Sequence, residues 1–192
     1  MAADLAAMSV DRKGATAFVT RDPARFGTSL PERGALLGVD PGPKRVGVAV
    51  TDPGRRLVTP LETLRRRDEA RLRERLRALV RARGVVGLVV GHPVSMDGRI
   101  GPAAEAAERL AADLAAALAR PVLLQDERLS TFAVEAALRE GRLRLRRRER
   151  GGPLDHYAAA VILEDALTAL ARHAGGGRVP GAGGARGGEF PA

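Results

Sequence analysis

The sequence predicts an α/β domain: a mixed five-stranded sheet with helices on both faces. Three observations lead there. Short apolar runs alternate with segments of helical period. The first three strand-like runs follow one another with only turns between them. The later runs are continuous and β-branched, as in strands buried on both faces.

ALLGVD (35–40) reads as a short buried strand, PGPK (41–44) as a turn, and RVGVAVTD (45–52) as the second arm of a hairpin. RLVTPLET (56–63) is a third strand. From Asp68 the period changes. Leu72, Leu76, Leu79 and Val80 fall on one helical stripe with arginines elsewhere, and Gly84 ends the helix. VVGLVVGHP (85–93) is the next buried strand. After a glycine-rich loop, Pro102 sits at the first turn of a helix that runs to about Ala119. PVLLQ (121–125) is the fifth strand, and Ser130 or Thr131 caps a helix to about Arg139. A basic loop covers 141–152, and a last helix runs from about Pro153 to Arg172. Three antiparallel strands followed by alternating helix and strand is the order of a ribonuclease-H-like domain. Residues 1–33 show no clear period and read as a flexible leader, 34–173 as the domain, and the Gly-rich 174–192 as a disordered tail.

Composition narrows the classes. The 192 residues, 45% hydrophobic, suffice for one domain with a sizeable core. Cysteine is absent, which excludes disulfides and thiolate metal sites and fits a cytoplasmic protein. No apolar run approaches the roughly 20 residues of a membrane span, and MAADLAAM (1–8) lacks the basic start of a signal peptide. The formal charge of +9 points to a polyanionic partner; the blander reading is a genome that writes Arg wherever Lys would serve.

Fold class does not give function, so the sites must. Asp40 ends the first strand after five uncharged residues, and Asp126 and Glu127 end the fifth. Asp155 opens the last helix, with Ala158, Ala159 and Ile162 on the same face, so its carboxylate faces inward. Each alone is more often a turn residue, a solvated strand end or a helix N-terminal acid. Together they fall where ligands gather, beyond the carboxyl ends of strands. Converging carboxylates repel one another, and oxygen-only ligands suit Mg²⁺ or Mn²⁺. Two such ions roughly 4 Å apart activate a water and stabilise the leaving oxygen of a phosphodiester.

Lys44 and Arg45 follow the first acid and can touch a phosphate, or simply belong to a solvated turn. RLRLRRRER (142–150) holds six arginines in nine residues, including Arg142, Arg144, Arg146, Arg147 and Arg148, and reads as a backbone clamp or a solvated loop. His92 reads as a loop histidine rather than a ligand, and Asp97, in the loop MDG, reads equally as a contact or as a turn residue. Gly38 and Gly47, inside strands, mark close backbone approach.

Four segments together, GVDPGPKRVGVAVTD (38–52), VVGHPVSMDG (89–98), DERLST (126–131) and DHYAAAVIL (155–163), resemble the YqgF/RuvX family of bacterial nucleases over about residues 35–170. The resemblance implies a ribonuclease-H-like fold with Asp40, Glu127 and Asp155 as catalytic, metal-holding acids. Asp126 is adjacent and can serve beside or instead of Glu127. In a nuclease, Arg128 would hold the backbone together with Lys44, Arg45 and the 142–150 loop. One departure is Gly91-His92-Pro93, where the family usually has Gly-Leu-Pro. The activity implied is a two-metal endonuclease on structured RNA, in maturation of the 5′ end of pre-16S rRNA. The alternative is a Holliday junction resolvase on branched DNA, which should act as a homodimer. A scaffold that binds nucleic acid without catalysis is a lesser alternative. An actin- or sugar-kinase-type phosphate site needs a second domain that residues 34–173 do not supply.

Overall fold

The computed structural model describes residues 9–10, 16–94, 99–127 and 154–175. Its elements in order are β1 (Ser9–Val10), β2 (Thr16–Ala17), β3 (Val19–Thr20), α1 (Pro23–Ser29), β4 (Ala35–Asp40), β5 (Arg45–Thr51), β6 (Val58–Arg65), α2 (Glu69–Arg83), β7 (Val85–His92), α3 (Pro102–Leu118), β8 (Val122–Asp126) and α4 (Asp155–Gly175). The main sheet has the order β3-β8-β7-β4-β5-β6. β4, β5 and β6 form an antiparallel meander. β7 and β8 add in parallel on the other side of β4. This is the ribonuclease-H-like arrangement that the element order implies.

Local chemistry explains the boundaries. The Asp68 side chain caps α2 by accepting from the Ala70 and Arg71 amides, and Gly84 closes it in the left-handed conformation at φ 59°. Pro102 starts α3. The two faces of the sheet bury different helices. Leu37, Val39, Val48, Leu88, Val90 and Leu124 pack with the stripes of α2 and α3. Leu36, Ala49, Val89 and Leu123 pack with Phe26 of α1 and with Ala159, Ile162 and Leu163 of α4. No helix among the described residues is long and apolar enough to cross a membrane.

Two expectations are corrected. The sheet has six strands, not five, and part of the expected flexible leader supplies the sixth. β3 pairs in parallel with β8, Val19 opposite Val122 and Thr20 opposite Leu123. Asp22 caps α1, and Phe26 is fully buried against the α4 face. The physical reason is the free edge of β8 and an apolar gap beside α4, neither of which shows in the local pattern of 16–33. Residues 1–8, 11–15 and 176–192, and the helix expected after Ser130, lie outside the described residues.

Phe26 offers a direct check. Phe26→Ala should lower the unfolding free energy by about 3–5 kcal/mol, as for other buried phenylalanines. Urea unfolding measures this; an unchanged midpoint would mean that the segment does not belong to the folded domain.

Candidate active site

Side chains alternate across a strand, so strand register decides which acids can meet. Leu36 and Gly38 face α4, and Asp40, two residues on, faces the same way. Its antiparallel partner is Gly47. On β8, Leu123 faces α4, which places Glu127 on that face and Asp126 on the α3 face with Val122 and Leu124. Asp155 begins α4 itself, directly over Gly47. Asp40, Glu127 and Asp155 thus converge at the carboxyl ends of β4 and β8.

Glycines make the convergence sterically possible. A β-carbon on Gly47 would stand 1.9 Å from the Asp155 carbonyl oxygen, and one on Gly38 would stand 2.7 Å from that of Ala159. Both strands therefore need glycine for α4 to lie so close. Gly91 of β7 does the same for a side chain: its β-carbon would fall 1.5 Å from Glu127 Oε1. The sequence reading picks out Gly38 and Gly47 but passes over Gly91, although a glycine within a β-branched strand is the same signal.

The electrostatics register the crowding. Burial first, then the Asp155 charge, pushes the Asp40 carboxyl up from 3.8 to about 6. Burial, then Asp40, then Asp126 pushes Glu127 from 4.5 to about 7. Asp155 has a cation beside it: Arg45 Nε donates to its Oδ2 at 2.8 Å. Arg45, expected to face a phosphate, is thus the positive charge already resident in the site. Lys44 beside it is exposed. Among the described residues no three Asp, Glu or His side chains are gathered tightly enough to cage a cation. The donor set nonetheless fits a hard divalent ion: the three acids offer only carboxylate oxygens, and Asp40 and Glu127 resist ionisation because they are buried and, second, because they lie beside other negative charge.

His92 is not the loop residue that the sequence suggests. It ends β7, is buried, and bonds through Nε2 to Glu108 Oε1 at 2.8 Å. His156, next to Asp155, shares a hydrogen bond with Thr63 Oγ1 through Nδ1 at 3.1 Å. The sequence reading missed this contact, which links α4 to the edge strand β6. Arg128, Asp97 and the arginines of 142–150 lie outside the described residues.

Fold and acids together define a class, a ribonuclease-H-like protein with a carboxylate site at the ends of its strands. A family model described as RuvX, Holliday junction resolvase, matches residues 34–169. A relative from Cereibacter sphaeroides (strain ATCC 17025 / ATH 2.4.3), provisionally named pre-16S rRNA nuclease, is 46% identical over 145 residues, 76% of this chain and 89% of its own length. Another of the same provisional name, from Acidiphilium cryptum (strain JF-5), is 41% identical over 143 residues, 74% of this chain and 89% of its own length. Among solved structures, T. thermophilus RuvC in complex with Holliday junction substrate overlaps 72% of this chain and 95% of its own at 19% identity, with a TM-score of 0.48, too loose a likeness to argue from. The chain belongs to the RuvX family.

Proposed function

We propose that this protein is a divalent-metal-dependent endonuclease that hydrolyses phosphodiesters during maturation of the 5′ end of pre-16S rRNA. The observation that carries the reading is the meeting of Asp40 and Glu127 on one sheet face under the start of α4, each holding its proton well above the ordinary carboxylate range. The provisional name shared by relatives at 41–46% identity supports the choice of substrate. RNA maturation is cytoplasmic work.

Asp40, Glu127 and Asp155 are the residues that would hold the cations, with Asp40 close to both of the others. The chemistry supplied by a bound pair of Mg²⁺ or Mn²⁺ ions is activation of a water and stabilisation of the leaving oxygen. The protein's own groups do the rest. Gly47 lets α4 bring Asp155 in, and Gly91 leaves room for the Glu127 carboxylate. Arg45 neutralises Asp155 in the free protein; an incoming phosphate competes for that guanidinium, releasing the carboxylate as substrate arrives. Lys44, Arg128 and the arginines of 142–150 hold the backbone. Asp126, turned to the other face of the sheet, acts on Glu127 through its charge.

The description of the family model favours a second reading, cleavage of branched DNA by a homodimer that cuts two strands symmetrically. Cleavage of matched precursor RNA and four-way DNA by the pure protein with Mg²⁺ or Mn²⁺ separates the two. The first reading expects the RNA to be cut at one junction and the DNA to survive. Cleavage of DNA alone would transfer the site to the second reading, and cleavage of neither would leave a binding scaffold. Replacing the arginines of 142–150 by Gln should weaken binding and flatten its salt dependence by roughly 0.7–0.9 in log–log slope per lost phosphate contact. An unaltered slope would remove the loop from the binding surface.

A further inference from the structure

We propose that the strand–helix segment preceding the family-matched domain is a positioning element, which acts through Arg21, Glu108 and His92 on the backbone from which Glu127 projects. Its consequence for turnover rests on the nuclease reading; the contacts themselves do not.

The chain of contacts begins outside residues 34–169. β3 lies in parallel along β8, and Arg21 follows directly from it. The Arg21 guanidinium and the His92 imidazole both donate to the same oxygen, Oε1 of Glu108 on α3. An ionised carboxylate only accepts, so His92 carries its hydrogen on Nε2. The residue is 3% exposed, and an imidazole buried to that extent needs such a partner. The main chain of His92 then reaches the site: its carbonyl accepts from the Glu127 amide at 3.2 Å and from the Val94 amide at 2.9 Å. Gly91, immediately before it, makes the floor under the Glu127 carboxylate. His92 and Asp126 are also partners in the β7–β8 register. The turn that carries Glu127 out of β8 is therefore tied to His92, whose side chain is anchored through α3 to the N-terminal segment.

Energy alone does not explain the outer contact. Arg21 is about half exposed, and an exposed ion pair contributes little to stability. Orientation does explain it. Glu108 has several rotamers, and Arg21 selects the one in which Oε1 meets the imidazole. A leucine at 92, which the family resemblance leads one to expect, would need no such partner. The histidine creates the need, and the N-terminal segment meets it. Arg21, Glu108 and His92 are positioning residues; none of them touches the reacting atoms.

The test uses the full-length protein and the variants Arg21→Met, Arg21→Lys, Glu108→Gln and His92→Leu, with Arg21→Met also made in the His92→Leu background. Amide hydrogen exchange in metal-free protein is read at Glu127 and, as an internal reference, at Leu123. Arg21→Met and Glu108→Gln should quicken exchange at Glu127 and leave Leu123 unchanged. With precursor RNA and Mn²⁺, both should lower kcat by about 10- to 100-fold at constant KM, the usual range for residues that orient a ligand. Arg21→Lys should restore most of it. The double variant decides the mechanism: with leucine at 92, Arg21→Met should have no further effect. Unchanged Glu127 exchange in both single variants, or a full Arg21→Met effect in the leucine background, would overturn the proposal. If wild-type protein cleaves neither RNA nor DNA, the nuclease reading fails while the exchange data still judge the contact chain.

Discussion

Asp40→Asn should abolish metal-dependent cleavage and, in protein stripped of metal, raise the melting temperature at pH 8. The two effects have one cause. The Asp40 carboxyl is raised from 3.8 to about 6 by burial and by Asp155, and Glu127 from 4.5 to about 7 by burial, Asp40 and Asp126. Both folded values exceed the unfolded ones, so between them the folded state binds more protons. The stability associated with these groups is therefore fully present below about pH 4. It is lost as pH rises through about 6 for Asp40 and about 7 for Glu127. At pH 8 both are ionised and the folded protein carries the full cost, on the order of 2–3 kcal/mol for Asp40 at 1.36 kcal/mol per pH unit. Asparagine keeps the shape, removes the charge and relieves Glu127 as well. Melts in EDTA should show the variant ahead by several degrees at pH 8, a gap that closes towards pH 4. Mn²⁺ should then stabilise the wild type, because it binds the folded state only, and leave the variant unmoved. A variant that melts with the wild type at pH 8 would mean that this carboxylate carries no buried charge. A variant that still cleaves would end the proposed role of Asp40.

The same residues show what a sequence can and cannot disclose. The stripe of Leu72, Leu76, Leu79 and Val80 identifies α2, because each leucine reports its own burial at helical spacing. Val19–Thr20 is too short for any period, and α1 has one buried side chain, Phe26. Those two elements form because β8 and α4 offer partners, and that information lies far along the chain. Glu127 and Asp126 are inseparable in PVLLQDE, where the strand is apolar on both faces. The family resemblance points to Glu127, and the registers of β8 and its neighbours give the physical reason, placing Glu127 on the same face as Asp40. Arg45 is legible as a cation near the site, but its bond to Asp155 spans 110 residues and no local pattern announces it. His92 is hidden for the same reason: Glu108 becomes its neighbour only when α3 folds back over β7.

Two glycines separate the placing of one side chain from the seating of a helix. At Gly91 a β-carbon would meet Glu127 Oε1 at 1.5 Å and Ile162 Cδ1 at 2.8 Å. Both are ends of flexible side chains, so Gly91→Ala can be accommodated by swinging the carboxylate out of the site. Stability should change little, while cleavage falls by about 100-fold or more, the cost of misplacing a reacting group by an ångström. At Gly47 the obstacles are main-chain atoms, the Asp155 oxygen at 1.9 Å, its carbonyl carbon at 2.2 Å and the His156 nitrogen at 2.8 Å. Backbone cannot swing aside, so in Gly47→Ala the first turn of α4 must lift from the sheet. That movement carries Asp155 with it and strains the core formed by Ala159, Ile162 and Leu163. Cleavage should vanish, and about 1–3 kcal/mol of stability should go with it, the usual range for overpacking. Urea unfolding and cleavage rates measured on both variants give the comparison. Wild-type cleavage by Gly91→Ala would show that Glu127 does not act from above Gly91, and wild-type stability in Gly47→Ala would show that α4 does not press on β5 there. The contrast matters because a general loss of fold would lower both quantities in both proteins. A carboxylate site built on this sheet requires stability and activity to part company at Gly91 and to fall together at Gly47.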